Sequence, residues 1–146
     1  MYTSVLFFHL LGAAIWVGGH LILTLSILSE ALLRRDPEPV RRFERVYERV
    51  GIPAMAVQIA TGVWLATLWL PDPVDWLQPE EPAARTILLK LGCVAATAAL
   101  AVHARLRIIP NLTVERLPWL GVHIVCVTAI ALCFVWLGLS FRSGGV

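Results

Sequence analysis

Four long apolar runs alternate with three polar connections along the chain, and that pattern predicts the elements. The runs cover roughly residues 3–33, 51–70, 83–109 and 118–141. Each matches or exceeds the ~20 residues that cross a bilayer as a helix. A lone segment in lipid satisfies its backbone hydrogen bonds only as a helix, because no water is there to accept or donate them. The pattern therefore predicts an all-α integral membrane protein, a four-helix transmembrane bundle forming a single domain over residues 1–146.

The connections differ in charge, and the difference predicts sidedness. The first holds Arg34, Arg35, Arg41, Arg42, Arg45 and Arg49 interleaved with Asp36, Glu38, Glu44 and Glu48. From Glu38 onward these charges fall at helical spacing, which predicts a short interfacial helix or an extension of helix 2. The second, residues 71–82, carries Asp72, Asp75, Glu80 and Glu81 among prolines and has no basic residue, whereas the third is short and contains Arg105, Arg107 and Arg116. Basic loops stay on the cytoplasmic side. Loops one and three are thus expected inside, with loop two and both termini outside; Arg142 is the one charge against that placement. Trp69, Trp76 and Trp119 lie at expected boundaries and fit an aromatic belt.

Composition agrees with a multi-pass protein of the cell inner membrane: 58% of residues are hydrophobic and the mean hydropathy is +0.76. A formal charge of +2 gives no basic face for nucleic acid. No Lys or Arg precedes the first run and the run is too long for a signal-peptide core, so the first helix is expected to remain in the mature protein. Cys93, Cys126 and Cys133 all fall within apolar runs; an odd number so placed suggests small apolar fillers rather than a disulfide framework. No phosphate loop, Ser-His-Asp arrangement, HExxH or CxxC pattern occurs.

Candidate chemistry lies in ionisable residues inside the spans, where burial in hydrocarbon is costly without a partner. His9 and His20 are eleven residues apart, about three turns, and share one helix face at depths ~16 Å apart. With alternating helix directions, His9 and Lys90 fall ~9 Å below the outer edge, while His20, His103 and His123 fall at ~25 to 28 Å. Convergent imidazoles suit a haem iron or a borderline transition metal; the plainer role for each is a hydrogen bond to a neighbouring helix. Lys90 and His103 stand ~220° apart around their helix, so at least one is expected to face lipid or a second subunit. Cys126 lies three residues from His123 and seven from Cys133, a conceivable Cu(I) set. The glycines at 12, 18, 19, 62, 92, 121 and 138 offer small surfaces for close helix approach, and they lead us to expect a homodimer.

Three groups of residues also carry a resemblance. The pattern His9-x6-Trp16-x-Gly18-Gly19, the segment Arg42-Phe43-x-Arg45 leading to Thr61-Gly62-x-Trp64-Leu65, and Leu88-Leu89-Lys90-Leu91 followed by Arg105-x-Arg107-x2-Pro110 resemble the CopD-type copper resistance domain and the related HemJ-type protoporphyrinogen oxidase. The HemJ resemblance implies haem b bound by a histidine early in the first helix, which falls on His9, with a lysine of the third helix, which falls on Lys90. The CopD resemblance implies copper handling across the membrane without a ligand set that can be matched residue by residue. The sequence thus leads us to expect a haem b protein carrying out electron transfer or small-molecule oxidoreduction with a redox substrate or electron carrier. His9, His20, His103 and His123 are the candidate ligands and Lys90 is a candidate catalytic group; the alternative is copper binding or transport without haem.

Overall fold

The computed structural model describes residues 1–141 and contains four helices long and apolar enough to cross a membrane: α1 (Tyr2–Arg34), α2 (Glu38–Trp69), α3 (Pro82–Asn111) and α4 (Leu117–Ser140). Arg142 lies outside the described residues. The protein is therefore all-α and multi-pass.

Each boundary has a local cause. At the end of α1, Arg35 takes the left-handed conformation (φ 54°), and the Asp36 and Arg35 amides donate to the carbonyls of Ala31 and Leu32. That is the pairing by which a left-handed residue satisfies the last carbonyls of a helix. Pro37 follows, and Asp36 accepts from the Glu38 amide at 3.0 Å, so a new helix starts almost at once. The arginine-rich connection is thus the first part of α2 itself, continuous through Pro53 to Trp69; of the two forms expected from charge spacing, the extension is the one adopted. Between α2 and α3, Asp72 accepts from the Val74 amide and the Trp76 indole donates to the Leu70 carbonyl at 2.8 Å. Two helices widen into π turns, at Leu23–Leu28 in α1 and Ala104–Ile108 in α3. The second immediately precedes Pro110, whose ring crowds the preceding turn and whose missing N–H cannot close it.

Packing is sequential around the bundle: α2 lies on α1, α1 on α4, and α4 on α3, while α2 and α3 are not packed on each other to a comparable extent. The core is concentrated at the end that carries the arginine-rich segment, where Leu28, Ala31, Val40, Ile108, Leu117 and Leu120 meet. There α2 and α3 are tied by polar contacts, an Arg105–Glu48 ion pair and an Arg41 hydrogen bond to the Leu112 carbonyl. This arrangement gives two long seams, α1/α2 and α3/α4, and the chemistry-bearing residues divide between them.

Candidate functional site

In the α1/α2 seam, His9 is held on both ring nitrogens by α2. Thr61 donates its hydroxyl proton to the Val57 carbonyl at 2.6 Å, one turn back, so its oxygen accepts from His9 Nδ1–H at 2.9 Å. That fixes the tautomer, since neutral imidazole carries one proton. Nε2 then has the lone pair, and it accepts from the Gln58 amide at 3.2 Å. Gly62 makes room for the ring: a Cβ there would lie 3.2 Å from His9 Cε1. The other end of the Gln58 amide, Oε1, is buried without a partner, 2.8 Å from where a Gly12 Cβ would stand.

Three turns along α1, His20 donates from Nδ1 to the Trp16 carbonyl of its own helix at 2.9 Å. Its ring lies 4.4 Å from the Trp16 ring and meets Tyr47 edge-on at 5.8 Å. Tyr47 stacks on Phe43 and donates its hydroxyl to the Ile15 and Trp16 carbonyls at 3.0 and 3.2 Å. Gly19 and Gly51 border the tyrosine ring, and a side chain at either would collide with it.

In the α3/α4 seam, His103 and His123 meet directly. Nδ1 of His103 lies 2.8 Å from Nε2 of His123, with the rings stacked 5.0 Å apart and 18° from parallel. His123 Nδ1 is 3.0 Å from the Trp119 carbonyl, which only an N–H can satisfy. The lone pair of His123 is therefore on Nε2 and receives the His103 Nδ1 proton. Nearer the other end of the seam, Lys90 Nζ lies 5.1 Å from the centre of the Phe141 ring and 3.6 Å from where a Gly138 Cβ would be.

The structure brings together His103 with His123, which depth along the helices had put at one level. It does not bring His20 to the other two inner histidines. Equal depth leaves the direction around the helix free, and His20 points into the α1/α2 seam while His103 and His123 fill the other. Lys90 and His103 both reach α4, although they stand far apart around α3; the lysine stem is long enough to curl round to the α4 terminus. Cys126 and Cys133 are both exposed, and Cys93 is half-buried. Sequence reasoning passed over Gln58 and Tyr47 as partners; the available signal was a lone amide in an apolar run, followed three residues later by Thr61.

Among the described residues no three His, Cys, Asp or Glu side chains converge as a metal site. Two open surface clefts, of about 540 and 500 Å³, are lined by Leu88, Gly92 and Cys93 with neighbours and by Ile27, Arg42 and Phe43 with neighbours. Beside His9, Gln58 occupies the nitrogen an iron would need. A haem iron at His9 would take the place that Gln58 now holds at Nε2.

No curated protein and no solved structure matches the chain. The family model described as CopD, copper resistance protein D, matches residues 41–140, a stretch that contains both histidines of the α3/α4 pair, Lys90, Cys93 and Cys133 but neither His9 nor His20. The chain belongs to the CopD copper resistance protein D family.

Proposed function

We propose that the protein is a copper-handling membrane protein whose ion is bound between His103 and His123. The observation that carries this reading is the 2.8 Å approach of two imidazole nitrogens from facing helices, within the part of the chain that matches the family. Imidazole is a good ligand for copper. His123 is pre-set as one, because its Nδ1–H is anchored on the Trp119 carbonyl and its Nε2 lone pair is aimed at the partner ring, the outer-shell arrangement that orients metal-binding histidines. A copper ion would take the place of the proton now shared between the rings: the neutral His103 ring moves its one proton from Nδ1 to Nε2 by exchange with solvent and presents the Nδ1 lone pair to the metal. The rings part slightly to accommodate it. His103 is exposed at the edge of the seam. With copper as cargo, the chain needs no catalytic base.

The haem reading has one observation in its favour. His9 carries its proton on Nδ1, held by Thr61, and its lone pair on Nε2, the state an axial imidazole requires. Gln58 would have to leave Nε2, and the macrocycle would need a second chain to enclose it.

One preparation tests both readings. The detergent-purified protein is assayed for copper and its visible spectrum recorded. The expected outcome is a colourless protein that retains copper and loses it in His103→Ala and in His123→Ala. Wild-type copper content in both variants overturns the proposal. A Soret band lost in His9→Ala establishes the haem reading in its place.

A further inference from the structure

We infer that the apolar cleft between α3 and α4 is a phospholipid site: it takes one acyl chain of a phosphatidylethanolamine, with Arg85 at its mouth receiving the phosphate and the neighbouring carboxylates receiving the ammonium. The inference stands apart from the copper reading and uses none of its ligands.

The cleft follows one line of α3. Arg85, Leu89, Gly92 and Ala96 succeed one another at spacings of four, three and four residues, which keeps them on a single helix face, and all four are exposed. Ile130 of α4 forms the opposite wall, Pro79 of the α2–α3 connection closes the end beside Arg85, and the space between is about 540 Å³. Gly92 gives the cleft its depth: a Cβ there would meet nothing within 4 Å, so the glycine leaves a notch that no other side chain of the protein fills. From Arg85 to Ala96 is eleven residues, ~16 Å along the helix, against ~15 Å for one leaflet of a ~30 Å hydrocarbon core. A lipid tail seated there runs from headgroup level to the bilayer midplane.

Charge at the mouth selects the headgroup. The connection carries Asp72, Asp75, Glu80 and Glu81 and no basic residue, and Arg85 is the first cation after it. Glu81 lies one turn before Arg85, and its carbonyl accepts from the Arg85 amide at 3.0 Å; Glu80 and Glu81 are both exposed. A wholly anionic headgroup arriving here meets one guanidinium among four carboxylates and is repelled on balance. A zwitterion sets its phosphate on the guanidinium, whose paired N–H donors match phosphate oxygens, and its ammonium on the carboxylates. A primary ammonium donates hydrogen bonds to them, whereas a quaternary one has no N–H to give. Phosphatidylethanolamine is the phospholipid with that headgroup.

The test adds phosphatidylethanolamine, phosphatidylglycerol or phosphatidylcholine, with identical acyl chains, to the detergent-purified full chain and measures retained lipid by native mass spectrometry. Wild type is expected to keep a single phosphatidylethanolamine about tenfold more tightly than either of the others, and Arg85→Gln to lose that preference. Gly92→Leu, whose side chain enters the notch, should weaken retention by about tenfold without lowering the unfolding midpoint. A second measurement keeps the native cleft. With Cys126→Ser and Cys133→Ser, Cys93 is the one thiol left, and it lines the cleft; phosphatidylethanolamine should slow its reaction with a maleimide, and phosphatidylglycerol should leave the rate unchanged. The inference is overturned if the three lipids are retained equally, if Gly92→Leu binds like wild type, or if phosphatidylethanolamine leaves Cys93 unprotected. It is also overturned if no lipid is retained and a dimer mass falls to monomer in Gly92→Leu, which would make the cleft an interface between copies of the chain.

Discussion

Gly18 and Gly19 are adjacent in sequence, yet the structure assigns opposite consequences to their replacement by alanine. At Gly18 a Cβ would meet nothing within 4 Å. Removing glycine's excess backbone freedom there should stabilise α1 by up to about 1 kcal/mol. At Gly19 the new methyl would collide with the Tyr47 ring, and that ring has little room to retreat: a Cβ on its other side, at Gly51, would lie 2.8 Å from Cε1, and Phe43 stacks over it at 5.2 Å. The ring has to swing out of the seam. It then loses its hydroxyl bond to the Ile15 and Trp16 carbonyls, about 0.6 kcal/mol for an interhelical bond in a membrane protein. It also loses aromatic contacts with Phe43 and His20, about 0.5–1.5 kcal/mol each. Against the ~1 kcal/mol helix gain, Gly19→Ala should destabilise the bundle by about 0.6–2.6 kcal/mol. The measurement is the unfolding midpoint in mixed detergent, followed by tryptophan fluorescence, since Trp16 lies beside the displaced ring. Gly19→Ala combined with Tyr47→Leu should recover most of the loss attributable to the collision. Equal midpoints for the two single variants would refute the reasoning.

Two further outcomes follow from charge and surface. From the asymmetry of the connections we expect the arginine-rich segment and the α3–α4 connection in the cytoplasm, with residues 71–82 and both termini outside; reporter fusions after Arg49 and after Glu80 should read inside and outside respectively, and reversed sidedness overturns the expectation. The glycine-bearing faces are expected to pair two chains, so native mass spectrometry in mild detergent should give a dimer mass, and a monomer mass with metal retained counts against it.

Sequence alone determined the fold class, because a bilayer leaves apolar runs of this length one way to satisfy their backbone. It also determined depth: the rise per residue is constant, so His9 and Lys90, or His103 and His123, could be set at common levels by counting. Azimuth is different. A small error in turn per residue accumulates over a span, the π turns at Leu23–Leu28 and Ala104–Ile108 reset the phase, and nothing in a nearly uniform apolar sequence says which face meets which neighbour. Only the tertiary structure decided that His20 turns to Tyr47 while His103 and His123 share a proton. The neighbour relations of the four helices, set by packing across residues far apart in the chain, divided the candidate ligands between two seams.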